Sequence, residues 1–193
     1  MKVKEAVASY KVHKKRYTYQ DYLDLPEDGK RYEIINGELV MVPAPRIIHQ
    51  DIGFKIGNLL FNFNQQERYG KVLMSPVDVI LSETNVIQPD ILFISKERSH
   101  IITETHIKGA PDFIIEIISP SSGYYDLIEK KELYAQYGVR EYWIVDPKRQ
   151  CVEIYLNKDH EFQLRQRVER EGTAQSYILQ GFKIILEQIF SLD

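Results

Sequence analysis

A chain of 193 residues with 44% hydrophobic and 27% charged side chains carries enough apolar material for a buried core, which excludes disorder as its main state. No run approaches the ~18 uninterrupted apolar residues that span a bilayer, one cysteine cannot close an internal disulfide, and no Cys/His cluster offers a structural zinc site. The formal net charge of −3 is neutral with regard to a nucleic-acid partner, and the absence of a signal-like apolar stretch near the start leads to the expectation of a cytoplasmic chain with no membrane partner.

Residues 1–16 are basic with weak apolar periodicity and read as a flexible arm, leaving 17–193 as one domain. Thr18 stands three residues before Asp21, so a short helix is expected there. Thr18 would cap it, Asp21 would sit near its positive end, and Pro26 would stop it. Residues 31–42 hold two β-prone runs separated by Asn36-Gly37, a pair that tolerates positive φ and signals a hairpin. A second helix follows Pro45, because Ile48, Ile52, Ile56, Leu59, Leu60 and Phe63 recur at three- and four-residue spacing; Gly70 reads as its end. Val77, Val79 and Leu81 mark a strand, residues 82–85 a turn, and 86–94 the second arm of a hairpin. The polar segment 95–108 leads to 113–118, a nearly continuous apolar run of the kind shown by strands buried on both faces. Residues 126–137 have helical character, with Leu127, Leu133, Tyr134 and Tyr137 on the inner side and Gly138 as the stop. Residues 141–145 form another buried strand, ended by Asp146-Pro147. Residues 152–156, 161–168 and 175–179 read as shorter, more polar strands before a closing helix at 184–190. The sum is an α/β (α+β) chain with a mixed central β-sheet flanked by helices.

Glu116 does not belong in the apolar run around it. A buried, ionised carboxylate costs several kcal/mol unless a cation or donors meet it. A structural ion pair, or a reach to water past Ser119, would satisfy it; so would a functional site. Asp112, at the entry of the same strand, reads as solvated. Asp90 follows Pro89, a pair common in turns. Together with Glu116 it gains meaning, because two strands of one sheet can set two carboxylates around a shared Mg²⁺, a hard ion that prefers oxygen and keeps some of its waters. Such an ion polarises a phosphodiester and makes bound water a better nucleophile. Lys130 and Lys131 lie in the helix that follows. Lys130 could fold back onto the strand end to orient water or offset charge, or could pair with Asp126 four residues earlier on the helix surface. Lys131 points about 100° away. Ser119, Ser121 and Ser122 lack a glycine-flanked nucleophile elbow, and no Gly-rich phosphate loop is present. With 13 Tyr and 8 Phe, aromatic side chains could stack on unpaired bases or simply fill the core.

Several blocks in order resemble the Uma-two family of restriction-endonuclease-like proteins, which belongs to the PD-(D/E)xK nuclease superfamily. They are RYEIINGEL at 31–39, His49-Gln50, QPDILF at 88–93, GAPDFIIEIISPS at 109–121, Lys130 with Tyr134-Ala135, and GVREYWIVDP at 138–147. The resemblance implies a restriction-endonuclease-like core with extra C-terminal strands, and a metal-dependent DNA endonuclease using Mg²⁺ or Mn²⁺. By position, Asp90 and Glu116 would be the metal ligands and Lys130 their catalytic partner. The superfamily lysine normally sits two residues after the acid, where this chain has Ile118; Lys130, on the next helix, is the matching position. Glu33 matches an acidic residue of the first block, and would either complete the metal site or face solvent beside the turn. His49 and Lys131 are possible members of the site, and Asp78 is a weaker one. Nucleases that cut both strands often pair two sites, so a homodimer is expected. Lys11, Lys14, Lys15, Arg16, Arg165, Arg167 and Arg170 are basic groups available to DNA. Two alternatives stay open: a nucleic-acid-binding or interaction protein that keeps the fold without turnover, and a metal-independent hydrolase using Asp90 and Glu116 as an acid/base pair.

Overall fold

The computed structural model describes residues 15–119 and 124–191. Residues 1–14 of the arm expected over 1–16, Ser121, Ser122 and the side chain of Asp126 lie outside what is described.

Local chemistry sets the first elements. Thr18 and Asp21 close a reciprocal capping box at the start of α1 (Tyr19–Leu23). Asn36 and Gly37, both at positive φ (52° and 81°), turn β1 (Arg31–Ile35) into β2 (Glu38–Val42). Helix α2 (Ile47–Glu67) then buries Ile52, Ile56 and Leu60. It ends at Arg68, which is left-handed and bonds back to the carbonyl of Asn64, rather than at Gly70. Gly70 instead opens β3 (Gly70–Met74), and its role is one of contact. A Cβ there would stand 2.0 Å from the carbonyl oxygen of Ile94 on the neighbouring strand.

The expected hairpin is real but shorter. Strand β4 (Val79–Ser82) pairs with β5 (Asn85–Ile87), and the run 86–94 then divides at Gln88-Pro89-Asp90. Proline has no N–H to continue a ladder, and beyond it β6 (Ile91–Ser95) joins a different sheet. The polar segment contains a 3₁₀ turn (Lys96–Ile101) and the short β7 (Ile107–Lys108). Strand β8 (Phe113–Ile117) is buried at every position, as its apolar run implies. Helix α3 (Tyr124–Gln136) connects it to the parallel strand β9 (Glu141–Asp146).

The C-terminal part consists of β10 (Cys151–Lys158), β11 (Glu161–Glu169), β12 (Thr173–Gln175), β13 (Lys183–Ile185) and α4 (Leu186–Phe190). Residues 176–179 are not strand, because their N–H groups go elsewhere: Tyr177 and Ile178 donate to buried Glu141 at 2.9 Å, and Leu179 donates to Ser176 Oγ. The closing helix starts late, since residues 183–185 pair with β12.

The expected mixed central sheet flanked by helices is present, and a second mixed sheet accompanies it. The larger runs β11-β10-β9-β8-β6-β3 and the smaller β2-β1-β5-β4-β7, with β12 and β13 forming a separate pair. Two apolar clusters result. One packs Phe113, Ile115 and Ile117 of β8 against Ile52, Ile56 and Leu60 of α2 and Ile189 of α4. The other packs Leu92, Ile114 and Tyr142 against Leu127, Leu133 and Tyr134 of α3. Each such buried side chain contributes about 1.5–3 kcal/mol. Alternation along β8 assigns position 116 to the same face as Ile114, toward α3.

Two local expectations fail. Asp112 is 1% exposed, not solvated: it accepts from Ser95 N–H at 2.8 Å and pairs with Arg98 and Arg140. Tyr137 is 37% exposed, outside the inner face of α3. Among the described residues no helix is long and apolar enough to cross a membrane.

Candidate active site

Strand pairing brings the two central carboxylates together. Ile91 lies opposite Ile115 and Leu92 opposite Ile114, so continuing the register places Asp90 across from Glu116 on the face shared by Leu92 and Ile114. Pro89 ends the pairing of β5 just before this point, which turns the Asp90 carboxylate back over β8. Its Oδ2 accepts the N–H of Ile117 at 2.8 Å. His49, in the first turn of α2, sets Nε2 3.1 Å from the same oxygen. The imidazole's other nitrogen, Nδ1, is buried without a hydrogen-bond partner among the described residues.

Helix α3 supplies the cation. Lys130 Nζ lies 2.9 Å from Glu33 Oε1 and 3.5 Å from Glu116 Oε1. One turn further along, Tyr134 donates its hydroxyl proton to the same Glu116 oxygen at 2.7 Å. Glu33 comes from the middle of β1, in the smaller sheet, and also accepts the backbone N–H of Gln88 at 2.8 Å. Glu33, His49, Asp90, Glu116 and Lys130 all line one cavity of about 450 Å³ between the two sheets and α2.

Five of the expected residues therefore converge, and two do not. Lys131 lies on another side of α3, with Nζ 3.4 Å from the centroid of the Tyr155 ring, a cation–π contact; burial pulls its pKa down. Asp78 accepts from Tyr22 Oη at 3.0 Å and from Gln88 Nε2 at 2.8 Å, and so bears on the cavity only through Gln88. Tyr134 and Gln88 belong to the cluster although neither stood out as chemistry in the sequence. For Tyr134 a signal existed: it is four residues beyond Lys130, hence on the same helix face.

Charge organises the site. Burial pushes the Glu116 carboxyl up to about 7, with the negative charges of Asp90 and Glu33 adding to it while Lys130 and Tyr134 act against it. For Lys130, burial works against the charged form. The surrounding carboxylates of Glu116, Glu33 and Asp90 outweigh it and hold the ammonium protonated, well above its ordinary range. His49 follows the same balance: burial lowers its pKa, the hydrogen bond and charge of Asp90 raise it, and the net direction is upward.

The donor set suits a hard cation. Three carboxylates surround one ammonium, and hydrogen bonds among the described residues engage Oε1 of Glu33, Oδ2 of Asp90 and Oε1 of Glu116. Among the described residues no group of three or more His, Cys, Asp or Glu side chains is placed to hold a metal ion. Mg²⁺ does not require one, since it commonly takes one or two carboxylates and retains several waters.

A crystal structure of "a putative nuclease belonging to DUF820 from Anabaena variabilis ATCC 29413" superposes with a TM-score of 0.75, covering 90% of this chain and 97% of that one at 20% identity. At that identity the likeness establishes the fold, which is restriction-endonuclease-like. No curated protein is detectably similar to the chain. Residues 19–187, a stretch that contains the whole cluster from Glu33 to Tyr134, match the family Uma2, described as "Putative restriction endonuclease". The chain belongs to the Uma2 family.

Proposed function

We propose that the chain is a nuclease that hydrolyses phosphodiester bonds of DNA with Mg²⁺ or Mn²⁺ held by Asp90 and Glu116. The observation that carries this reading is the meeting of Glu33, Asp90 and Glu116 around Lys130 in one cavity. The bound ion would supply Lewis-acid polarisation of the phosphoryl group and a more acidic water. The chain's own groups do the rest. Asp90 is held in place by the Ile117 N–H and by His49, and Glu116 by the Tyr134 hydroxyl. Lys130, kept protonated by its neighbours, is a donor and not a base: it orients the attacking water or meets charge that develops on the phosphoryl oxygens. Glu33 is a positioning residue in this account, since Lys130 already engages it and the Gln88 N–H fixes it.

Incubation with single- and double-stranded DNA in Mn²⁺ tests the reading. It predicts cleavage that stops with chelator and in Glu116→Ala; no cleavage of any DNA, or undiminished cleavage by that variant, overturns it. DNA binding without cleavage that survives removal of both carboxylates would identify a non-cleaving binder. Activity in excess chelator would identify acid/base hydrolysis. The homodimer has its best support in Ile47, Phe54 and Phe61, exposed along α2 at seven-residue spacing, a row that a two-fold axis through Phe54 would pair with itself. Sedimentation as a monomer at micromolar concentration would remove it.

A further inference from the structure

A second cavity of about 650 Å³ adjoins the first, and His49 and Ser119 belong to the walls of both. Its floor is apolar, formed by Ile48, Ile118, Ile144 and Pro147. Its rim is charged in an uneven way. The acidic groups are already compensated: Asp146 accepts the N–H groups of Lys148 and Arg149 and pairs with the Arg149 side chain, while Glu153 is met by Arg167 and the Tyr155 hydroxyl. Arg46 and Lys148 also line it, both exposed, and neither side chain makes a hydrogen bond or ion pair among the described residues. An apolar floor beneath two uncommitted cations matches the two halves of a nucleotide, the sugar with its base and the phosphate. The volume falls within the usual range for a small-ligand cleft.

We infer that this second cavity seats the nucleotide next to the cleaved bond on the same DNA strand, with Arg46 and Lys148 contacting its phosphate. The inference rests on the nuclease reading and adds a substrate subsite to it. A strand that reaches the carboxylates past His49 must run on through one side of the cavity mouth. The shared wall makes this the side where cations meet its next phosphate. Arg46 can do so through two parallel N–H bonds and Lys148 as a point charge.

The experiment measures anisotropy of a labelled 20-mer DNA, single- and double-stranded, across a salt series. It is run in chelator, so that nothing is cut, and again with Mn²⁺ in a Glu116→Gln background. The full chain is compared with Arg46→Ala/Lys148→Ala and with a control pair, Lys158→Ala/Lys183→Ala, exposed cations outside this cavity. The subsite predicts that the first pair weakens binding by roughly tenfold or more near physiological salt and lowers the log–log salt slope by about one, for the single phosphate that the two cations neutralise. The control pair should change either much less. In cleavage the first pair should raise KM more than it lowers kcat. Equal losses in both pairs, or affinity and slope unchanged in the first pair, overturn the subsite while DNA binding by the parent chain keeps the nuclease reading. A parent chain that binds no DNA overturns both.

Discussion

Glu116 is costly to bury, and the groups around it decide which form it takes. With its pKa at about 7 in the folded chain, the carboxyl keeps its proton to near neutrality, whereas in the unfolded chain it loses it near the ordinary carboxyl value of about 4.3. The folded state thus holds the extra proton. The stabilisation this gives is complete below the unfolded value and is lost as pH rises through about 7. Melting of the metal-free chain should therefore fall across that interval, and Glu116→Gln should flatten the fall; the same slope in both proteins would contradict it. His49, also raised, loses its contribution in the same direction, so some slope should persist. Tyr134→Phe removes the hydrogen bond that the hydroxyl gives Glu116, worth about 1.5–3 kcal/mol where a bound cation keeps that carboxylate charged. It should slow cleavage roughly ten- to a hundredfold and weaken Mn²⁺ binding by calorimetry, and unchanged values for both would remove the tyrosine from the site. Glu116 was legible in the sequence because a carboxylate among five apolar residues is a chemical contradiction that must be resolved. The hydroxyl of Tyr134 was not, because a tyrosine satisfies an apolar periodicity as well as leucine does. Asp112 was misread for a related reason: Arg98 and Arg140, which make its burial tolerable, come from distant parts of the chain.

At the level of elements, signals contained within a few residues were reliable. The Thr18 capping box, the Asn36-Gly37 hairpin and the Gly138 stop each depend on adjacent backbone angles, and each is present. Boundaries set by tertiary contact were not readable. Gly70 resembles a helix stop in sequence, yet the constraint comes from Ile94, which only the pairing of β3 with β6 brings near. The two glycines should thus respond differently to alanine. Gly138, with open space around its missing Cβ and φ of 86°, should lose about 1–2 kcal/mol from left-handed strain alone. Gly70→Ala meets backbone at 2.0 Å and should cost more, about 3 kcal/mol or above, since the sheet must shift. Urea unfolding compares them, and a smaller loss for Gly70→Ala would contradict this account of its role. The run 86–94 is different. Its β-prone residues lie on both sides of Gln88-Pro89-Asp90, and that Pro-Asp break is the local signal that β5 and β6 part there into different sheets.

For the whole molecule, that separation is what builds the site. Glu33 arrives on the smaller sheet, Asp90 and Glu116 on the larger, Lys130 and Tyr134 on α3 and His49 on α2, so the cavity lies where these layers meet. An α/β chain with mixed strands was evident from the order of periodic runs, but the second sheet could not be read, because sheet membership depends on pairings between distant segments. The net charge of −3 also becomes intelligible at this scale. Part of the negative charge is gathered at the cluster, where a bound cation would offset it, while Arg46 and Lys148 stand at the neighbouring cavity. The most direct test of the central claim is anomalous diffraction from crystals of the chain soaked in Mn²⁺. The account predicts a peak at coordination distance, about 2.0–2.3 Å, from carboxylate oxygens of both Asp90 and Glu116, with Lys130 beside it. Crystals with no peak in that cavity, or with the ion held by other residues, would contradict it.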